Sequence, residues 1–532
     1  MHNWFSRYIV YALAVILTLA FVALGTRSPH FLWGAMIFGP LAVLGTWDMI
    51  QWNHSVLRNY PIIAHTRFIF EGLRPELRQY FFESNLSGAP FNREQRSLVY
   101  QRAKDTVDKL PFGTELDVYG GEYAWLNHSI SPAPLSSDSF RVEIGGPECR
   151  SPYSASVYNI SAMSFGALSA NAIRALNKGA KMGNFAHDTG EGGLSRYHEE
   201  NGGDLIWEIG SGYFGCRKED GTFDPDTFAE QATIDQVKMV EIKISQGAKP
   251  GHGGVLPGPK VTDEIAEARH VPVGVDCVSP SGHSAFSSPI ELLEFIAKLR
   301  EMSGGKPAGF KLCIGHRWEF LAICKAMEET GIHPDFIVVD GAEGGTGAAP
   351  VEFSNHVGTP LRGGLNFVQN ALVGCNLREH VRLGASGKIV SAFDILGAMA
   401  MGADWCNSAR GFMFAVGCIQ SQSCHTNRCP VGVATQDKQR QRALVVPQKA
   451  ERVYQFHRNT LDALAEIVAA AGLRHPSEIR PRDFYIRLGS PVPLPADHGA
   501  LWLEPGSLLD GSAPPDYLNY WATARADSFR AA

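Results

Sequence analysis

Cys418, Cys424 and Cys429 stand in the run Gly417-Cys418-Ile419-Gln420-Ser421-Gln422-Ser423-Cys424-His425-Thr426-Asn427-Arg428-Cys429-Pro430, a C-x5-C-x4-C spacing. Three thiolates this close in sequence can wrap one soft-metal centre, and the proline stiffens the loop behind the last of them. Iron–sulfur clusters are held by Cys thiolates, and a terminal Cys-Pro also occurs in ferredoxin-type runs. Three thiolates rather than four suit a three-iron cluster. Zinc competes, although it takes four ligands, usually from C-x2-4-C pairs absent here, so His425 would have to be the fourth. A disulfide would leave one thiol of the three over. Three buried cysteines acting as small apolar residues are the remaining alternative.

Five glycine-rich loops carry the other residues able to do chemistry. Ser161-Ala162-Met163-Ser164-Phe165-Gly166 is made of small residues that let a flat ring approach the backbone. In the loop that begins Ser245-Gln246, seven of the twelve residues from Gly247 to Gly258 are Gly or Pro, a composition suited to folding over a ligand with Lys249 turned inward. Asp340-Gly341-Ala342-Glu343-Gly344-Gly345-Thr346-Gly347 offers backbone N–H groups for a phosphate or a ring. Ser386-Gly387-Lys388 and Asn407-Ser408-Ala409-Arg410 complete the set. Each alone is an ordinary turn; five in order point to a phosphorylated cofactor.

Short apolar runs precede these loops and must position them. Strands are expected at 157–160, 239–244, 273–278, 309–314, 336–339, 382–384 and 405–408. Helices are expected between them at 170–182, 289–302, 319–330, 367–373 and 392–401. Repeated strand-then-helix units with buried-type strands argue a parallel sheet. Seven or eight units in this length fit an α/β fold of the (β/α)8 TIM-barrel type, whose active site lies where the strands end. An open doubly wound sheet is the rival, but no G-x-G-x-x-G follows a first strand.

Outside the barrel the sequence divides as follows. Residues 1–52 contain two uncharged apolar runs, 8–25 and 31–47, around Ser28-Pro29. Eighteen helical residues span about 27 Å, close to the hydrocarbon thickness, so a transmembrane helical hairpin is expected, ahead of a cleaved signal peptide. Arg7, Arg58 and Arg67 flank it and Arg27 sits in its turn, a weak bias toward a cytoplasmic catalytic domain. Residues 53–150 are expected to form a helical adaptor with short β pieces, 151–480 the barrel with the cysteine loop, and 481–532 a Pro-rich, partly ordered tail. A helix is expected over 449–472. A net charge of −6 gives no reason to expect a nucleic-acid partner, and ten scattered cysteines favour a reducing compartment.

The ordered motifs SAMSFGALS, TGEGG, KISQGAKPGHGG with LPGPKV, DGAEGGTGA and C-x5-C-x4-C-P-V-G-V-A-T-Q-D resemble the synthase domain of glutamate synthase over roughly residues 150–475. The resemblance implies an FMN-binding barrel, a [3Fe-4S] cluster on Cys418, Cys424 and Cys429, and reduction of 2-iminoglutarate to glutamate. It implies FMN on Ser161, Ala162, Met163, Ser164, Gln246, Lys311, Gly344 and Gly345, with the phosphate near Ser386, Gly387, Lys388, Ser408 and Arg410. It also implies that Glu191, Lys249 and Arg269 contact the 2-oxo acid. Chemically, Lys249 and Arg269 suit the two carboxylates of a dicarboxylic acid, and Glu191 suits orienting an imine or passing a proton.

Two departures stand out. The family has Gln after KPGEGG where this chain has Val255 after KPGHGG, which removes an expected hydrogen bond to substrate. The family's phosphate loop reads GGL where this chain has Ser386-Gly387-Lys388. The family's N-terminal glutaminase has no counterpart before the barrel, so ammonia is expected from outside or from a supplying partner. No NAD(P) fingerprint is visible, so electrons are expected from a ferredoxin, a reductase subunit or a membrane donor. The alternatives are an amine-linked synthase of the N-methylglutamate type, another 2-oxo or amino acid oxidoreductase, a non-redox FMN isomerase and a non-catalytic membrane scaffold.

Overall fold

The computed structural model describes residues 3–121, 123–132, 134–487, 494–495 and 500–532. The chain divides into two compact units, Met1–Pro90 and Phe91–Ala532.

In the first unit α1 (Asn3–Gly25) and α2 (Leu32–Ile50) pack as an antiparallel pair around a turn at Pro29–Phe31. Small residues set their approach, as between membrane helices. A Cβ on Gly34 would run into the Phe21 ring, and one on Gly45 into Tyr11. Phe21 stacks on Phe38 at 5.8 Å, and Tyr11 Oη lies 2.9 Å from Thr46 Oγ1. Both helices are long and apolar enough to cross a bilayer, and only 6% of each apolar stretch is buried. Asp48, buried at the end of α2, accepts the Ile62 N–H at 2.9 Å and lies 2.8 Å from His65 Nε2. His65 opens α3 (His65–Leu77), which runs on as a π-helical segment, Arg78–Phe82.

The second unit opens with α4 (Arg93–Ala103), started by a reciprocal cap in which Asn92 accepts the Gln95 N–H and Gln95 accepts the Asn92 N–H. Eight strands then form a closed barrel: β1 (Tyr158–Ile160), β2 (His187–Asp188), β3 (Leu205–Ile209), β4 (Val237–Lys243), β5 (Ala308–Leu312), β6 (Phe336–Asp340), β7 (Arg382–Ser386) and β8 (Trp405–Ser408). All pairs are parallel, and β8 closes on β1 with Cys406 opposite Tyr158. The outer helices are α5 (Ala170–Gly183), α6 (Pro225–Ala232), α7 (Pro289–Met302), α8 (Arg317–Thr330), α9 (Leu361–Gly374), α10 (Ala392–Ala400) and α11 (Arg410–Val416). Ser169, Ser288 and Ser391 cap three of them, their hydroxyls accepting first-turn N–H groups. A long α12 (Val446–Ala470) lies across α5 and α4, burying Val453, Phe456, Leu464 and Val468.

The barrel agrees with the sequence reading, with two differences in its strands. Residues 273–278, expected to be a barrel strand, lie outside it. Only Cys277–Val278 pairs, antiparallel with Val255–Leu256. Val273, Val275 and Val278 are more than half exposed, so the alternating valines face solvent rather than core. Strands β2 and β3 were not expected. The first is two residues long and polar, and the second carries Glu208 on a fully buried strand, so neither reads as an apolar run. The segment 481–532, read as a tail, is packed over its described C-terminal part. In α13 (Pro515–Thr523), Tyr517 stacks on Phe367 at 5.7 Å, and Lys325 sits over Trp521.

Candidate active site at the barrel mouth

The loops after β2, β3 and β4 enclose a small cavity, open to solvent, lined by Glu191, Lys243, Gln246, His252, Gly254 and neighbouring residues. Glu191 is its one carboxylate. Lys243, the last residue of β4, pairs with it at 3.0 Å, and Ser279 Oγ donates to it at 3.4 Å. Burial works to raise the Glu191 carboxyl, but Lys243, then Arg269 and Lys249, outweigh it and hold it at about 2. The carboxylate therefore stays ionised through the neutral range. Glycines make room for it: a Cβ on Gly254 would sit 2.3 Å from Glu191 Oε1, and one on Gly210 would sit 2.9 Å from its Cβ.

The two expected substrate cations are buried and already positioned. Lys249 Nζ donates to the Ala348 carbonyl at 3.1 Å, which ties the loop after β4 to the loop after β6. Burial lowers its affinity for the proton, and Glu191 works against that. Arg269 donates to the Phe165 carbonyl at 3.1 Å and Ser164 Oγ at 3.4 Å, and lies over the Phe214 ring. Lys243, Lys249 and Arg269 thus all act on the Glu191 carboxylate, although only Lys243 lines the cavity. Lys243 was missed in the sequence because a strand-terminal Lys carries no spacing signal. Val255 is 43% exposed on the outer hairpin and is not among the residues lining the cavity.

A second cluster gathers at the ends of β1, β6, β7 and β8. Ser161 Oγ lies 3.3 Å from Ser386 Oγ. Ala162, Met163 and Ser164 continue from Ser161, and Gly190 packs so closely that a Cβ there would touch Ser164 N at 2.6 Å. Asp340 accepts the Gly247 N–H at 2.8 Å, clamping the loop that holds Gln246 against the one that holds Gly344 and Gly345. A Cβ on Gly345 would meet Arg410 Nε at 2.8 Å. Arg410 donates to the Glu343 carbonyl at 2.6 Å. Burial, and then the nearby Arg410, make Lys388 a weaker base than usual; burial does the same to Arg410. Two cations, Lys388 and Arg410, stand close together here in a glycine-lined cup, with Glu343 near both. Ser408 does not present its hydroxyl to this cup, because its Oγ donates to the Ile389 carbonyl at 2.6 Å.

Lys311 faces the barrel interior. It pairs with Glu208, with Glu241 at 3.0 Å and with Asp188 at 3.9 Å. Three acid oxygens lie within 4.8 Å of one another here, and Lys311 supplies the cation among them. Both Glu241 oxygens and Asp188 Oδ2 lack an aligned hydrogen bond among the described residues. Burial, reinforced by the neighbouring carboxylates, pushes Asp188 well above its usual range, Glu241 up to about 7 and Asp340 upward. Burial opposes charge on Lys311, yet Glu208 and Glu241 keep it firmly protonated. One lysine cannot neutralise four buried carboxylates, so the cluster holds protons.

The three cysteines of the 418–429 loop form no disulfide. Burial raises Cys418 to about 12 and raises Cys424, and the neighbouring sulfurs add to both. They are not drawn into one tight group, whereas the sulfurs of a tetrahedral zinc site sit about 3.8 Å apart. His425 is exposed. The loop is held from outside: Tyr100 Oη donates to the Cys418 carbonyl at 2.7 Å, and Lys260 Nζ donates to that of Cys424 at 2.9 Å. Gln420, at φ +58°, bonds both backbone groups of Phe91 at 3.1 Å, and its own N–H points at Cys418 Sγ, 3.4 Å away. Three partly or fully buried thiols in one loop, one of them facing an N–H, would suit an iron–sulfur cluster.

The pattern of a family described as "conserved region in glutamate synthase" matches residues 143–474. The "glutamate synthase large subunit-like protein YerD" of Bacillus subtilis is 38% identical over 83% of this chain and 93% of its own length. The "archaeal-type glutamate synthase [NADPH]" of Thermotoga neapolitana is 34% identical over 60% of this chain and 60% of its own. The "glutamate synthase [NADPH] large chain" of Azospirillum brasilense is 34% identical over 60% of this chain and 20% of its own.

Proposed function

The chain belongs to the glutamate synthase family and is an enzyme, an oxidoreductase of that type; on that premise we propose that it reduces 2-iminoglutarate, formed from 2-oxoglutarate and externally supplied ammonia, to glutamate. The observation that carries this is the charge pattern around Glu191. Lys243, Lys249 and Arg269 surround a single carboxylate, Glu191, and a surplus of two positive charges matches a dicarboxylate. Glu191, ionised at neutral pH, fits orienting and neutralising an iminium nitrogen rather than donating a proton. Lys249 and Arg269 would hold the two carboxylates.

FMN fits the glycine-lined cup, with Ser161, Ala162, Met163, Ser164, Gln246, Gly344 and Gly345 along the ring and Ser386, Gly387, Lys388 and Arg410 at the phosphate. Lys311 would act on it from the barrel interior. A [3Fe-4S] cluster fits Cys418, Cys424 and Cys429. Bound there, the two groups would supply hydride to the imine carbon and a path for single electrons from a ferredoxin or reductase subunit. The exposed apolar surfaces of α1 and α2 support anchoring in a membrane, and the flanking arginines support a cytoplasmic catalytic domain.

The test is anaerobic turnover of detergent-purified protein, verified to hold flavin and iron, with reduced viologen, 2-oxoglutarate and ammonium. Glutamate formation that Lys249→Ala abolishes is the expected result; no glutamate from loaded protein overturns the proposal.

A further inference from the structure

The first unit carries a helical surface that no described residue of that unit covers. Neither α3 nor the π-helical segment after it buries a single side chain. Six of its apolar residues nevertheless share one face, with Glu76 at its edge and Phe68 and Phe82 outside it. Ile69, Phe70, Leu73, Leu77, Tyr80 and Phe81 recur at helical spacing, and Ile69, Phe70, Leu73 and Phe81 are 59%, 65%, 49% and 76% exposed. Arg67, Glu71, Arg74 and Arg78 occupy a separate arc, with Arg67 and Glu71 paired at 2.8 Å. A helix this short is marginal in water on its own, so a surface must receive the stripe.

We propose that residues 65–82 lie in the headgroup layer of a lipid bilayer, with the Ile69–Phe81 stripe turned into the acyl boundary and the arginine arc toward phosphate. This rests on the reading of α1 and α2 as membrane spans. Three observations select a bilayer over a protein partner. The start of the helix is tied to the end of the second span, because Asp48 accepts the Ile62 N–H and lies 2.8 Å from His65 Nε2. That pair fixes His65 at the level where α2 leaves the apolar layer. Trp47, Trp52 and Tyr60, all exposed, sit in the same short stretch, and tryptophan and tyrosine collect at membrane interfaces. Finally, an arginine-bearing polar arc bordering an aromatic and aliphatic stripe is the composition of a helix lying in the interface plane.

The experiment places photoreactive benzoylphenylalanine, one position at a time, in the full chain reconstituted into vesicles of equal parts phosphatidylcholine and phosphatidylglycerol. The positions are Phe70 and Phe81 on the stripe, Glu71 and Arg74 on the arc, and Ile16 and Val43 in the spans. Lipid adducts at Phe70 and Phe81, with loss of adduct at Glu71 and Arg74, are expected. Adducts at Ile16 and Val43 but none at Phe70 or Phe81, or cross-links from Phe70 and Phe81 to protein, overturn the interfacial placement while leaving the spans intact. No lipid adduct at any of the four overturns the spans as well.

Discussion

Glu191 sits where two glycines leave room for it and one lysine neutralises it, and its chemistry follows from that. Glu191→Gln removes the charge while keeping the shape; kcat/KM for the 2-oxo acid is expected to fall about 10²-fold, the scale of one lost electrostatic contact in a site, with flavin content unchanged. The glycine-lined cup separates residues that the sequence grouped together. Lys388→Ala or Arg410→Ala should weaken flavin retention about ten- to a hundredfold, the worth of a hydrogen bond to a charged group. Ser408→Ala should leave it nearly intact, because Ser408 already donates to Ile389; equilibrium dialysis of flavin distinguishes them. The barrel interior makes a pH prediction. Burial raises Glu241 from 4.5 to about 7, so its protonated form is favoured by folding. Its contribution to stability is complete below about pH 4.5 and fades as pH rises through about 7. Glu241→Gln mimics the protonated form, so its Tm should gain on the wild type across that window. Glu191 and Lys249 were legible because they lie in loops with unusual sequences. Lys243 and Glu241 were not, since a charged residue within a strand reveals neither the direction it faces nor its partner on another strand.

At the scale of elements, the glycine loops are closed by contacts that a side chain would block. A Cβ on Gly247 would lie 1.8 Å from the Gly341 carbonyl oxygen, so the loops after β4 and β6 interlock only because that position has none. Gly247→Ala should force them apart, seen as faster proteolysis within 245–258 and lost flavin absorbance. Gly254→Ala intrudes on Glu191 instead and should lower turnover while flavin is retained. This explains why the loops could be read from sequence: a backbone that must touch another backbone needs glycine wherever it does so. The strands were harder to read. Long apolar β4 and β6 announce themselves, whereas β2 is two residues held by its neighbours. The valines at 273–278 imitate a strand that the barrel does not use.

At the scale of the whole molecule, the question is where the enzyme begins. Composition suggested an adaptor running from residue 53 to 150, because 92–110 is polar and helical like the segment before it. Residues 91–103 nevertheless fold with the barrel. Val99 and Ala103 are buried, Tyr100 holds the Cys418 carbonyl, and Phe91 is bonded to Gln420. These partners lie more than 300 residues away in sequence, and no local pattern could announce them. The consequence is a sharp difference between two truncations. Removing residues 1–90 takes away the first compact unit alone; the remainder should be extractable without detergent and keep its iron. Removing residues 1–104 also deletes α4, which strips the cysteine loop of the Tyr100 and Phe91 hydrogen bonds and uncovers the packing of α11, whose Phe414 meets Phe91 edge-on at 5.3 Å. Iron per chain, measured after anaerobic purification, should stay at the full-length value in the first truncation and fall in the second. Equal iron in both would mean that the loop holds its shape without α4, and that the enzyme begins nearer to where composition placed it.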